Sequence, residues 1–527
     1  MQTSLRYGLT VLALLLIGGT IPTYFYVKGL GPRVRTRVIE ALEERFDADI
    51  DIKSVHLSLF PHPNIVGEGV RIRHKSWNDP HPELYIRRFS ASSDFSTLAG
   101  RTNNIELVRL EGLKIHVPAR GRSTRQQGIG DQPEIASAEP GHDNTRFRFL
   151  IETIIADGTQ LEIEPGIKGK LPLSFDIQKL TLHSVGPGQP MAFKTTLRNV
   201  KPPASIDSTG EFGPWQRDDP RSTPVSGNYT FQNADLSAFK GITGTLSSDG
   251  SYHGVLQHIE VDGTTDTPKF ALKRGGEAVH VITNFHSIVN GRDGDTILDP
   301  VDARFGRSEF IFKGSVVHEP GAQGKTVSLD ATTKRGRIED ILGLLIKTKT
   351  PLLTGAVNFK TRLVIPPRRE DVLDTLKLDG QFGIASAEFR ERKLTERLQT
   401  LSEQAQGITK NEQKELPETV ASNFRGLFKL SGGIASFSRL SFTVPGAIVN
   451  LTGTYSLHSG LIKMQGTCRM KATLSQTQSG LKHCLLKPFD PFFRKQGAGF
   501  MLPIKITGTK DQPQFAVLFF HRERIIH

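Results

Sequence analysis

Histidine, aspartate and cysteine are the residue types of this 527-residue chain that could bind metals or react, and their spacing favours neither role. His56, His62 and His81 stand beside prolines or at alternating strand positions, which is a poor arrangement for a metal site. The chain has no H-E-x-x-H, G-x-S-x-G, G-x-x-x-x-G-K-[ST] or G-x-G-x-x-G motif. We therefore expect no metal site, no cofactor, no catalytic residue and no enzyme activity.

A short acidic segment is similar in composition to a calcium-binding loop. It contains Asp293, Asp295 and Asp299, but Ile297 occupies the place of the third ligand. The segment is therefore predicted to be a Gly-rich turn stabilised by aspartate.

Composition and charge exclude other classes. The two cysteines, Cys468 and Cys484, are too few for a disulfide scaffold, and they either pair or are small buried residues. The net charge of +13 is spread along the chain rather than concentrated with aromatic residues, so we expect no nucleic-acid partner. Anionic membrane surfaces are the expected partner of the basic segments 28–37 and 522–524.

Residues 8–27 contain no charge and are long enough to cross about 30 Å of hydrocarbon as a helix. They predict an uncleaved membrane anchor, because residues 18–20 make a poor signal-peptidase site. The positive-inside rule would place the body in the cytoplasm, but it is weak for one span before a long domain. The anchor residues named by this prediction are Leu9, Leu12, Leu15, Leu16, Ile21 and Phe25.

The hydrophobic period changes along the chain. Val34, Val38, Leu42 and Phe46 recur every four residues and predict an amphipathic helix packed on the first strands. After Asp47 the period becomes two, in runs of 4–8 residues bounded by Gly, Pro, Asn or Asp. This pattern predicts a mainly β protein, with a long antiparallel sheet that has one apolar and one polar face.

Two helices and one loop interrupt the strands. Residues 338–346 predict a short apolar helix, and 387–406 predict a longer amphipathic one. Residues 119–145 are polar and Gly-rich, which indicates a flexible loop. The frame G-T-x-D-x-P-x-F-A occurs at 263–271 and at 508–516, and predicts a strand end, a turn and a new strand, used twice.

The carboxyl-terminal segments are the most specific part of the sequence. They read G-T-Y-S-L at 453–457, L-L-K-P-F-D-P-F-F at 485–493 and G-A-G-F-M-L-P-I-K-I-T-G at 497–508. Near the amino terminus stand S-V-H-L-S-L-F-P-H-P at 54–63 and G-E-G-V-R-I at 67–72. Together these segments resemble the AsmA-like family of bacterial envelope proteins, which is related to TamB and to bridge-like lipid-transfer proteins.

The resemblance implies an inner-membrane anchor, a periplasmic body in a Gram-negative bacterium, and a role in phospholipid movement and outer-membrane integrity. It also implies a curved open sheet with an apolar groove. About 25–30 strands at about 4.8 Å would give a groove of about 120–145 Å. The 31 Phe against 2 Trp and 7 Tyr suit contact with acyl chains. A closed sandwich with a dry core is the alternative reading of the same alternation.

We expect phospholipid and the inner membrane as partners, with outer-membrane or envelope proteins as further candidates. The alternative function is a structural or assembly factor for outer-membrane proteins that carries no lipid. The groove residues named by the prediction are Leu57, Leu59, Leu107, Ile115, Leu180 and Phe231. The expected regions are a cytoplasmic 1–7, the anchor 8–27, the AsmA-like helix and strands 28–118, the loop 119–145, the central β-groove 146–384, an amphipathic helix 385–415 and the carboxyl-terminal AsmA-like β region 416–527.

Overall fold

The chain forms one large sheet with few helices, as the alternation predicts. The computed structural model describes residues 36, 39, 48–58, 64–74, 84–92, 104–117, 150–164, 172–186, 188–216, 219–319, 322, 324–347, 351, 353–367, 370–389, 421–444, 446–470, 500–509, 512–519 and 522–526. The predicted anchor residues, Leu59, His62, His81, Cys484 and the loop 119–145 lie outside these ranges. Within the described ranges, no helix has the length and apolar character needed to cross a membrane.

Among the described residues, the sheet contains 26 strands. The first nine are β1 Ala48–Ser58, β2 Asn64–His74, β3 Leu84–Ser92, β4 Asn104–Val117, β5 Leu150–Ile155, β6 Thr159–Ile163, β7 Leu173–Val185, β8 Met191–Asn199 and β9 Ala204–Phe212. The next nine are β10 Pro224–Asp235, β11 Ile242–Thr243, β12 Thr245–Val255, β13 His258–Leu272, β14 Val279–Val289, β15 Thr296–Phe305, β16 Ser308–His318, β17 Lys325–Arg337 and β18 Leu353–Ile365. The last eight are β19 Lys377–Phe389, β20 Ala421–Ser431, β21 Ile434–Val444, β22 Ala447–Ser456, β23 Leu461–Met470, β24 Phe500–Thr509, β25 Pro513–Phe519 and β26 Arg522–Ile526.

Four short helices have both ends within the described residues, and Thr36 and Ile39 are also helical. Two are α-helices, α1 Ile338–Leu345 and α2 Val372–Thr375. Two are 3₁₀ helices, at Pro220–Ser222 and Leu236–Ala238.

Strand order follows chain order almost throughout. From β7 onward each strand pairs antiparallel with the next, apart from the two-residue β11, which pairs with β13 while β10 pairs with β12. One junction departs from the antiparallel expectation, because β4 pairs in parallel with both β5 and β6, and both of these pair antiparallel with β7. A parallel pair needs a crossover of a dozen or more residues, and residues 118–149 provide that length.

The predicted short apolar helix is confirmed as α1. Glu339 and Asp340 lie in its first turn, where carboxylates complement the helix dipole. Ile338 and Ile341 pack against a buried cluster of Val357, Ile384 and Ala387. The helix therefore rests on strands β18 and β19.

The predicted longer helix begins too early in the sequence. Residues 385–389 belong to β19, which pairs with β18 through Leu353 and Phe389 and with β20 through Glu388 and Ala421. Cross-strand pairing on both sides outweighs helix propensity at this point. The remaining residues of that prediction, up to 415, lie outside the described residues.

The repeated G-T-x-D-x-P-x-F-A frame has two different structures. The copy at 263–271 lies inside the single strand β13, where the pairing register shifts between Thr267 and Phe270 beside Pro268. The copy beginning at Gly508 runs from the end of β24 into β25. The prediction of a strand–turn–strand unit used twice is therefore wrong for the first copy, because proline is accommodated there by a bulge.

Candidate functional site

A single row of paired residues runs across the sheet from β2 to β25. Residues directly opposite one another in paired strands project to the same face, so the pairing register defines the row. We call it the central row, and its members are Ile65, Ala91, Val108, Ile154, Leu182, Phe193, Gly210, Gly227, Tyr252, Val261, Ser287, Leu298, Gly314, Leu329, Leu363, Leu378, Leu430, Ala435, Tyr455, Ile462, Gly508 and Pro513. Apart from Ser287 its residues are apolar, aromatic or glycine, over about 100 Å measured along the sheet.

A second row lies beside the central row on the same face. We call it the flanking row, and its members are Leu180, Thr195, Ser208, Tyr229, Gly250, Gly263, Phe285, Val301, Phe312, Ala331, Thr361, Gly380, Phe428, Phe437, Gly453, Met464, Ile506 and Phe515. Five of these are phenylalanines. The two rows together define the apolar face of the sheet.

The opposite face carries charges in register. One ladder of successive partners alternates in sign across five strands, and consists of Lys313, Asp330, Arg362, Asp379 and Lys429. Asp379 Oδ2 lies 2.9 Å from Lys429 Nζ, and both side chains are exposed. Opposite charges in direct cross-strand pairs stabilise a solvated face, so the two sides of the sheet have contrasting chemistry.

Buried clusters lie on the apolar face near both of its ends. At the amino-terminal end Ile50, Ile52 and Val70 form a buried cluster, on which the helical residue Ile39 packs. The residues that predict the amphipathic helix, Val34, Val38, Leu42 and Phe46, lie outside the described residues. At the other end a cluster on β21–β23 includes Val449 and Cys468.

The middle of the apolar face is only partly covered. From Leu182 to Leu363 every residue of the central row except Ser287 is partly exposed. The buried side chains in this part of the sheet are mostly small, including Ser208, Ser248, Thr267 and Ala303, and the larger exceptions are Ile177, Phe310 and Val357. Most of the large apolar side chains here therefore lack the second layer that would cover them in a sandwich.

Two tyrosines pack against glycines in this middle part. A methyl group at Gly250 would lie 3.0 Å from Tyr229 Cε1, and one at Gly227 would lie 2.8 Å from Tyr252 Oη. The Tyr229 hydroxyl is 3.1 Å from Ser248 Oγ, which leaves an apolar ring surface with its polar end satisfied. Burial raises the pKa of both tyrosine hydroxyls, so they stay neutral at ordinary pH.

A group of contacts joins segments that lie at opposite ends of the strands. In an antiparallel meander successive connections alternate between the two ends of the strands, so α1 and residues 273–277 lie at one end and α2 lies at the other. Residues 273–277 nevertheless contact both helices. The Gly276 N–H donates to the Leu344 carbonyl at 2.9 Å, and Arg274 Nη1 lies 3.6 Å from Asp374 Oδ2.

Further contacts hold α2 in this position. The Val372 N–H donates to the Lys240 carbonyl at 3.0 Å, and His458 Nε2 lies 2.7 Å from Asp374 Oδ1. We call α1, residues 273–277 and residues 370–376 the bridge. Because Ile338 and Ile341 pack on inward residues of β18 and β19, the bridge lies over the apolar face.

The predicted groove residues fall on both faces. Leu180 belongs to the flanking row, and Ile115 and Phe231 project to the same apolar face. Leu57 pairs with Ile65 of the central row. The sequence prediction missed the other members of the central row, because alternation identifies two sets of residues without indicating which set is covered.

Leu107 is on the opposite face, where it pairs with Ser92, while its neighbour Val108 is buried on the apolar face. The alternation of β4 changes at Gly112, whose φ is +63°. A prediction that follows strict alternation back from Ile115 therefore assigns Leu107 to the apolar face, although Val108 is the residue that lies there.

A cavity and a turn contain several of the acidic residues in this part of the sheet. A cavity of about 780 Å³ on the polar face is lined by Asp249, Asp262 and Asp302, among others. The described residues contain no group of three His, Cys, Asp or Glu side chains placed to hold a metal ion. The segment of Asp293 and Asp295 is the turn that its sequence predicts, with Asp295 N–H donating to Asp293 Oδ1 at 2.9 Å.

Cys468 is a free thiol that is 1% exposed, and it pairs in register with Val449 and Leu502. Burial raises the pKa of this thiol to about 11. It therefore acts as a small apolar residue of the face, because a neutral thiol is a poor nucleophile and a poor metal ligand.

Comparison of the chain with protein-family models, with curated proteins and with solved structures gives no match.

Proposed function

We propose that the protein binds phospholipid acyl chains on its apolar face and moves them between the membranes of a Gram-negative envelope. In this proposal the sheet is a curved, open groove that shields the chains while the headgroups stay in water. The observation that carries it is the central row, which is apolar from Ile65 to Pro513 and is partly exposed between Leu182 and Leu363. Apolar surface of that extent on a single chain favours an apolar ligand.

The resemblance of the terminal segments to AsmA-like envelope proteins supports the cellular setting. In that setting residues 8–27 anchor the chain in the inner membrane, and the sheet lies in the periplasm. A carrier of this kind needs shape and apolar surface, and needs no nucleophile, metal or cofactor.

The decisive experiment compares two adjacent residues of β18. Leu363 is in the central row and Val364 projects to the opposite face, where it pairs with Ser328 and Lys377. Both are apolar and partly exposed. The substitutions Leu363→Asp and Val364→Asp therefore differ mainly in the face that receives the charge.

We expect native mass spectrometry of the full chain in gentle detergent to detect bound phospholipid in the wild type and in Val364→Asp. Leu363→Asp should reduce the lipid-bound fraction at least several-fold, because a carboxylate in contact with acyl chains is costly. Circular dichroism checks that both variants remain folded. A folded wild type that carries no lipid would overturn the proposal and favour the alternative, an assembly factor without lipid cargo.

A further inference from the structure

The bridge divides the apolar face into two parts. On one side lie the strands from β2 to about β13, and on the other the strands from about β19 to β25. An acyl chain that moves along the central row must therefore pass beneath α1, residues 273–277 and α2.

The two halves of the bridge are held with unequal strength. On the α1 side the Glu339 carboxylate, 7% exposed, accepts from Arg307 Nη2 at 2.6 Å, Arg337 Nε at 2.8 Å and the Gly355 N–H at 3.1 Å. The same side carries the apolar contacts of Ile338 and Ile341. A buried carboxylate with three donors is expensive to separate from its partners, so this side stays fixed.

The α2 side is held by partly exposed polar contacts, by the backbone hydrogen bond from Val372 and by the buried side chains of Leu373 and Thr375. The Arg274 side chain is 59% exposed, and the Asp374 and His458 side chains are 35% and 34% exposed. Such pairs contribute little to stability. A four-residue helix also has almost no stability of its own.

Leu373 provides the main apolar contact of the α2 side. It is 5% exposed although it belongs to a four-residue helix. Opening would expose this one large side chain, and reclosing would bury it. A segment that is held by one buried apolar side chain and by weak polar contacts is typical of parts of a protein that open and close locally.

We propose that the bridge is a gate across the lipid-binding face, which opens at its α2 side by separating residues 370–376 from Lys240 and Arg274 while α1 stays in place. The gate controls whether an acyl chain passes from one part of the apolar face to the other. This inference rests on the proposed lipid-binding function.

A reversible disulfide tests the gate. In a full-length chain with Cys468→Ala and Cys484→Ala, the substitutions Lys240→Cys and Val372→Cys place a thiol pair at the backbone hydrogen bond between these residues, which is 3.0 Å long. The matched control pair is Arg221→Cys and Gln257→Cys. It lies at another 3.0 Å backbone hydrogen bond, between neighbouring connections that do not cross the apolar face.

Photo-crosslinking reports where lipid is bound. Benzoylphenylalanine replaces Phe193 on one side of the bridge or Phe428 on the other, in protein held in nanodiscs and incubated with vesicles that contain a tail-labelled phosphatidylethanolamine. After reduction of the disulfide we expect labelled lipid at both positions. After oxidation we expect labelling at one of the two positions to become at least tenfold slower, and the control pair to show no such change.

Equal labelling of both positions in the oxidised and reduced protein would overturn the gate and leave the lipid-binding proposal in place. Absence of labelling at both positions, even in the reduced protein, would overturn the lipid-binding proposal itself. Slower labelling in the oxidised control pair as well would also overturn the gate, because a disulfide away from the bridge would then have the same effect.

Discussion

Glu339 shows how one side chain holds an element on the sheet. Burial by itself would raise the pKa of this carboxyl, but hydrogen bonds from its own backbone amide, from Arg337 and from the Gly355 N–H, together with the charge of Arg337, outweigh burial and lower its pKa. The carboxylate therefore stays ionised while it is almost fully covered. Arg307, Arg337 and Gly355, which are far from one another in the sequence, all donate hydrogen bonds to the two carboxylate oxygens of Glu339.

Replacing Glu339 by Ala should lower the free energy of unfolding by about 1–3 kcal/mol, because the buried Gly355 N–H loses its acceptor. Urea denaturation followed by circular dichroism measures the change. Asp379→Ala removes a carboxylate that is 63% exposed and paired with Lys429, and should change stability by less than about 1 kcal/mol. Equal effects of the two substitutions would contradict the role given to Glu339.

The lowered pKa of Glu339 predicts a pH dependence with a definite sign. A carboxyl with a lower pKa in the folded state stabilises the fold above its unfolded value of about 4.3, and this contribution is lost as pH falls through the folded value. The stability difference between wild type and Glu339→Gln should be constant from pH 7 to about pH 5 and should shrink below about pH 4. Urea midpoints measured at each pH test this, and a difference that persists unchanged at pH 3 would contradict it.

At the scale of the strand, Gly112 decides which residues of β4 contact the apolar face. Its φ of +63° places it in the left-handed region, and the alternation of buried residues shifts there, from Val108 and Leu110 to Leu113 and Ile115. Gly69 in β2 has a φ of +66° and accompanies the same shift in its own strand. The strands β1–β4 thus keep one continuous apolar face although their sequence alternation changes phase.

Gly112→Ala should destabilise the protein by about 1–2 kcal/mol, because a residue with a Cβ is strained at this φ. The added methyl group would also lie 3.1 Å from Arg87 Cβ. Gly383→Ala is the matched control in β19, where the nearest atom to an added methyl group is the Phe424 carbonyl oxygen at 3.9 Å. We expect that control to leave the thermal unfolding temperature unchanged or slightly higher, and a similar loss in both variants would exclude the role of the φ angle.

Much of the element structure is predictable from the sequence, and the exceptions have local physical causes. Period-two alternation identifies the strands, and the apolar spacing of 338–346 identifies α1. The face of Leu107 is not predictable, because any residue pattern is compatible with a bulge until a partner strand fixes the register. The parallel pairing of β4 with β5 and β6 is likewise not predictable from the sequence, because the sequence of a strand does not specify the direction of the strands beside it.

At the scale of the whole molecule, the length of the central row predicts how many lipids the proposed binding face holds. Half of a bilayer core of about 30 Å corresponds to about 15 Å for each acyl chain, so a row of about 100 Å accommodates on the order of six chains end to end. We expect native mass spectrometry to detect more than one phospholipid per wild-type chain at saturating lipid. A limit of one lipid per chain would contradict continuous use of the row and would confine binding to one part of it.

Because the strands pair nearly in sequence order, the length of the sheet can change in steps of one hairpin. Because most strands touch only their chain neighbours, a hairpin added or deleted between two existing strands would lengthen or shorten the row by about 9–10 Å and leave the remaining pairs in place. Duplication of hairpins would therefore adjust the length of the sheet to compartments of different width. The existing residues of the proposed lipid-binding face would stay unchanged.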